Sequence, residues 1–211
     1  MTETEWGAAT DPAFMLESVK GKTSDRKLRL YAVACGRLVS HGWYYSEAEA
    51  AFYLSEMYAD CRVDGDALRT GREQAIADAN QVLADWDRGK RDTIWAAIHS
   101  AENSIEIAPD YTIGYVRAIL GPIPDWMLCR FADDIFGNPF RPVAVDPDWL
   151  TSTVVALARG IYDDRAFDRM PILADALQDA GCDNDDVLTH CRGDGPHVRG
   201  CWVVDLLLGK S

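Results

Sequence analysis

Helix starts and stops recur along the whole chain, and no run of alternating apolar and polar residues closes on a hairpin turn. Asp11-Pro12 and Asp146-Pro147 each pair a capping acid with a proline at the first helical position. Ser46-Glu-Ala-Glu49 has the spacing of a capping box. Glycines at 21, 89, 121, 160, 181 and 209 fall where helices should end. These signals predict helices over 12–20, 25–40, 47–61, 66–88, 91–107, 111–120, 125–136, 147–159, 171–180, 184–192 and 196–208. The expected fold class is all-α, a compact multi-helix bundle with a C-terminal subregion of short helices.

The strongest period lies in the fourth of these helices. Leu68, Ala75, Ile76, Ala79, Val82, Leu83 and Trp86 form one stripe at 3.6-residue spacing. Ile94, Trp95, Ile98 and Ile105 continue the pattern after a short Arg88-Gly89-Lys90 turn, which predicts an antiparallel pair. The pattern breaks at Gly137-Asn-Pro-Phe-Arg-Pro-Val143, where two prolines and a glycine exclude a helix. No flexible linker or repeat accompanies the break. The 211 residues therefore read as a single helical domain, 1–211, with an N-terminal bundle over about 1–136 and a short-helix subregion over about 144–211.

Charge and cysteine usage narrow the function. The net charge is −13 with no basic tail, which argues against nucleic-acid binding. No apolar run reaches the roughly 20 residues of a membrane span, and residues 1–6 lack the features of a signal peptide. A cytoplasmic location is expected, and there the six cysteines should stay reduced. Cys35, Cys61 and Cys129 lie in apolar stretches and are expected to pack as small hydrophobes.

Long stretches at both ends are similar to a family of bacterial, planctomycete-type proteins with many paralogues. The opening match runs through Asp11-Pro12, Met15-Leu16, Gly21-Lys22, Ser24-Asp-Arg-Lys-Leu-Arg-Leu30 and Ala32-Val-Ala-Cys35. The closing match runs from Ile135-Phe-Gly-Asn-Pro-Phe-Arg-Pro-Val143 through Arg165-Ala-Phe-Asp-Arg169 and His190-Cys-Arg192 to Gly195-Pro-His-Val-Arg-Gly-Cys-Trp202 and Lys210. Gly36 stands where the family pattern has a second cysteine after Cys35. The resemblance implies element boundaries and no activity.

Three constellations could carry chemistry. Cys182, His190, Cys191, His197 and Cys201 crowd the C-terminal end, and thiolates with imidazoles are the usual ligands of a structural zinc. His197 and Cys201 would share a face of the last helix at i and i+4 spacing. Adjacent His190 and Cys191 cannot face the same way, and no Cys-x2-Cys knuckle is present. Packing of these residues around Trp202 is the competing reading. The second constellation holds Asp164, Arg165, Asp168 and Arg169, an ion-pair network joining helices or a substrate-positioning cluster. In the third, Asn138 and Arg141 stand beside Phe136 and Phe140 and could line a pocket; a buried, proline-stiffened connection is the competing reading.

No phosphate loop, dinucleotide fingerprint, nucleophile elbow or His-Glu-x-x-His occurs. The expectation is a non-catalytic protein-interaction or regulatory binding module, partnered by another protein and with no cofactor. The alternatives are a zinc-dependent protein or enzyme using the C-terminal Cys/His cluster, and an acidic inhibitor or nucleic-acid mimic. The final helix, opened by Pro196, is apolar nearly all round, so Trp202 is expected in the core against helices near 147–159 and 171–180.

Overall fold

The computed structural model describes residues 1–40, 46–82, 95, 96, 98, 99, 108–120 and 125–210. They form eleven α-helices and two 3-10 turns, with no strand among the described residues. No helix among them is long and apolar enough to cross a membrane. The predicted turn at Arg88-Gly89-Lys90 lies outside the described residues.

The N-terminal part contains α1 (Glu3–Gly7), α2 (Pro12–Val19), α3 (Asp25–Ser40), α4 (Ser46–Ala59), α5 (Gly65–Val82), α6 (Ala108–Leu120) and α7 (Asp125–Phe136). Asp11 caps α2 as its sequence predicts, accepting from the Ala13 amide at 3.0 Å. α1 is an addition to the predicted set. Thr2 and Glu5 close a reciprocal capping box, and the single turn buries Trp6. α3 is the hub, packed against α4, α6 and α7. One side contributes Tyr31, Ala34 and Cys35 to a core with Met15, Ile113, Leu128, Phe131 and Ile135. Val33 joins Ala48, Phe52 and Ala75 in a second core.

The C-terminal part contains α8 (Ser152–Asp164), α9 (Met170–Asp179), α10 (Asp185–Arg192) and α11 (Trp202–Leu208). They enclose their own core, which includes Val154, Ile161, Leu173, Leu177, Val187, Val203 and Leu207. The helix expected over 147–159 is split. Asp146-Pro147 starts only a 3-10 turn, Pro147–Trp149, and Thr151 then caps α8 through the Val154 amide.

The last helix begins later than its apolar pattern suggests, at Trp202 and not at Pro196. Gly200 sits at φ 98°, and a Cβ there would lie 2.9 Å from Leu30 Cδ1. The backbone before Trp202 therefore leaves the helical region to pass close over α3. Starting α11 at 202 also turns its faces. Val203, Val204 and Leu207 fill the core, whereas Trp202 is half-buried against Gly137 and His190.

A buried ion cluster fastens the two parts together. Asp60, just past α4, accepts from Arg199 Nη2 at 2.6 Å and from Tyr162 Oη at 2.5 Å. Lys210 Nζ and Arg26 Nε reach Oδ1, the oxygen that Tyr162 also uses, at 3.2 and 3.3 Å, while Arg199 holds Oδ2. Arg26 grips Asp205 of α11 with two bonds, at 2.6 and 3.0 Å. Lys27 Nζ lies 2.6 Å from Asp205 and donates to the carbonyls of Ile135 and Gly200. Five separated segments meet here. The Asp60 carboxyl would be raised by burial, but the Tyr162 and Arg199 hydrogen bonds outweigh that and hold it at about 2.

Candidate metal centre

Four donor residues converge where α7, α10 and the 193–201 segment cross. Asp134, His190, His197 and Cys201 each offer a ligand atom, and these atoms all lie within 4.8 Å of one another. This group could hold a metal ion. His190 Nε2 is 3.2 Å from Cys201 Sγ and 3.1 Å from Asp134 Oδ1. His197 Nδ1 is 2.7 Å from the same carboxylate oxygen. The second oxygen, Oδ2, accepts the Val198 amide at 2.9 Å, which fixes the carboxylate plane.

Each position follows from its element. α7 turns Leu128, Phe131 and Ile135 inward, and Asp134 lies beside that apolar stripe, buried. His190 and Cys191 point to different sides of α10, since adjacent helical residues lie about 100° apart. His190 joins Asp134, and Cys191 enters the C-terminal core. His197 and Cys201 do not share a helical face, because both precede α11. The non-helical 193–201 segment brings them to the same place instead.

The predicted ligands therefore divide. His190, His197 and Cys201 come together; Cys182 and Cys191 lie outside the group, buried in the C-terminal core. Asp134 was missed. Its sequence signal is an acid on the apolar side of a helix, the type of residue rarely buried without a partner.

The electrostatics are unusual for an all-protein cluster. Among the described residues, Asp134 has no ion-pair partner except the two histidines. Burial would raise its carboxyl, and the His190 and His197 hydrogen bonds reverse this and hold it below the ordinary range. Burial, and then the negative Asp134, push the Cys201 thiol well above its usual value. His197 Nε2 is buried with no hydrogen-bond partner. A cavity of about 190 Å³, lined by Arg130, Thr189, Gly193 and Pro196, reaches Asp134, His190 and His197.

The arrangement is not a nucleophile–base–acid relay. Such a relay uses the two ring nitrogens of its histidine separately, one toward the nucleophile and one toward the acid. Here Cys201 and Asp134 both approach Nε2 of His190. Convergence of several donors on one point suits an ion better than proton transfer.

The other predicted site residues lie elsewhere. Asn138 and Arg141 both reach Glu3 of α1, and both line a cavity beside Trp202. Arg165 ends α8 in left-handed backbone and pairs with buried Glu56 of α4. Asp164, Asp168 and Arg169 are exposed. All six cysteines are free; Cys35 and Cys129 are buried, but Cys61 is exposed, against expectation, in a left-handed turn after α4. Compared with protein-family models, curated proteins and solved structures, the chain matches none.

Proposed function

We propose that this chain is a helical binding module whose C-terminal unit is stapled to its N-terminal bundle by one structural zinc ion. The observation that supports this reading is the convergence of Asp134, His190, His197 and Cys201 from three separate segments. Zinc takes imidazole, thiolate and carboxylate ligands in a tetrahedron, with Zn–N of about 2.0–2.1 Å and Zn–S of about 2.3 Å. Ligand–ligand edges in such a tetrahedron are about 3.3–3.6 Å. The contacts of 2.7, 3.1 and 3.2 Å would open by up to about 0.6 Å to reach those edges, and donor pairs up to 4.8 Å apart would close by about 1 Å.

Charge supports the same choice. One carboxylate, one thiolate and two neutral imidazoles balance a divalent cation. The raised Cys201 thiol would be deprotonated outright on coordination. Four protein donors close the coordination sphere, the pattern of a structural site, which favours a scaffold over a metalloenzyme. The module's partner would be another protein, with exposed Phe14 and Trp126 the natural contact residues. Arg117 bridges Asp11 and Asp125, which brings the starts of the two helices that carry them together.

Elemental analysis of protein made without a histidine tag tests the metal. The expected result is one zinc per chain and a lower melting temperature after chelation. Zinc far below one per chain, with melting unchanged by chelator, would reject the staple.

A further inference from the structure

The ion cluster joining the two parts carries more positive charge than negative. Arg26, Lys27, Arg199 and Lys210 face two carboxylates, Asp60 and Asp205. Among the described residues, no third carboxylate lies within ion-pair distance of these four cations. The Arg26, Lys27 and Arg199 side chains are only 11%, 12% and 8% exposed. Tyr162 presents its ring to Arg26, Arg199 and Lys210, and two carbonyls accept from Lys27. Those groups are neutral and cancel no net charge. Arg199 Nε is buried with no hydrogen-bond partner. The Lys210 side chain is 27% exposed and partly solvated. Buried charges are normally compensated, so the three more deeply buried cations, which exceed the two carboxylates by one among the described residues, mark a place for an anion.

A cavity of about 260 Å³ opens against this cluster. Lys27, Asn138, Arg141, Asp205 and Lys210 are among its polar and charged lining groups. Trp202 and Phe136 supply apolar wall. The Lys27 ammonium is saturated by Asp205, Ile135 and Gly200, so it acts through its field alone. Among the described residues Lys210 donates to one acceptor, Asp60, which leaves N–H groups to spare. Arg141 gives Nε to Glu3 and stands 3.8 Å from Asp186, with guanidinium edge remaining. Of the two acids lining the cavity, Asp205 is engaged by Arg26 and Lys27, and Asp186 is at the exposed rim.

We infer that this cavity binds a small organic oxyanion, whose phosphate or carboxylate end sits between Lys210 and Arg141 and whose carbon part lies against Trp202 and Phe136. A forked guanidinium and an ammonium together suit an oxyanion in either form. The volume lies just under the about 300–1,000 Å³ of typical small-molecule pockets, which limits the ligand to a small acid of about citrate's size. The site stands apart from the Asp134 group and holds whether or not that group binds zinc.

Calorimetric titration with inorganic phosphate, and separately with citrate, tests the inference at ionic strength held constant with sodium chloride. At least one should bind with a dissociation constant below about 1 mM, a range in which general salt exclusion is negligible. The tighter of the two identifies the end group. Arg141→Gln, at an exposed position, should weaken that binding about tenfold while melting like the parent. Lys210→Gln should do the same; because Lys210 also holds Asp60, Arg141→Gln carries the test alone if that variant does not fold. Binding of neither anion, or binding unchanged by Arg141→Gln, would overturn the proposal.

Discussion

Replacing Asp60 by asparagine should unfasten the two parts of the molecule. The substitution keeps the size of the side chain and removes its charge. The Asp60 side chain has no solvent exposure, and Arg26, Arg199, Lys210 and Tyr162 all converge on it. Its carboxyl falls from 3.8 to about 2 on folding, which corresponds to about 2 kcal/mol of stability at neutral pH. Asparagine also leaves three cations around a neutral amide. Removing one partner of a buried pair typically costs about 3–5 kcal/mol. The expected loss is thus about 2–5 kcal/mol at pH 7, a large share of a domain's roughly 5–15 kcal/mol. The sign of the pH dependence follows from the depressed value. The charged carboxylate stabilises the fold fully above 3.8, and the contribution fades as pH falls through about 2. Urea unfolding of parent and variant at a series of pH values measures both quantities. The two midpoints should lie far apart at neutral pH and close up between about pH 4 and pH 2. A difference under about 0.5 kcal/mol at pH 7, the size of an ordinary surface change, would refute the reasoning. So would a gap that stays undiminished in acid.

Three further outcomes are expected. Gly137→Ala should destabilise by about 1–3 kcal/mol in thermal melts, because the position has φ 66° and a new Cβ would lie 3.1 Å from Trp202 Cγ. Trp202→Ala should cost less than the about 3–5 kcal/mol of a fully buried tryptophan and yield folded protein by circular dichroism, since the ring is half-buried. Cys201→Ser and His190→Ala should lose bound zinc in elemental analysis, whereas Cys182→Ser and Cys191→Ser should keep it, because only the first pair lies in the Asp134 group.

The fold class was legible because helix signals are local. Asp11-Pro12 and Gly209 both act where the sequence places them, as an N-cap and as a left-handed stop. The failures occur where long-range contacts decide. Pro196 begins no helix because the backbone at Gly200 must clear Leu30, more than a hundred residues away in sequence. Thr2 and Glu5 did carry a legible cap, and α1 could have been read from it. The site was half legible. His190, His197 and Cys201 stood out as potential ligands by residue type, but spacing alone cannot separate Cys201 from Cys191. That distinction depends on the turn of α10 and the path of residues 193–201. Asp134 showed only as an acid beside an apolar helix stripe, and the ion cluster was invisible for the same reason: Asp60 meets Arg199 across 139 residues of chain.

X-ray absorption at the zinc edge of the purified protein tests the central claim most directly. The account predicts one sulfur at about 2.3 Å and three nitrogen or oxygen ligands at about 2.0–2.2 Å, with the sulfur lost in Cys201→Ser. A shell of two or more sulfurs would place the ion at Cys182 and Cys191 instead. A shell of only nitrogen and oxygen, or no bound zinc, would contradict the metal staple altogether.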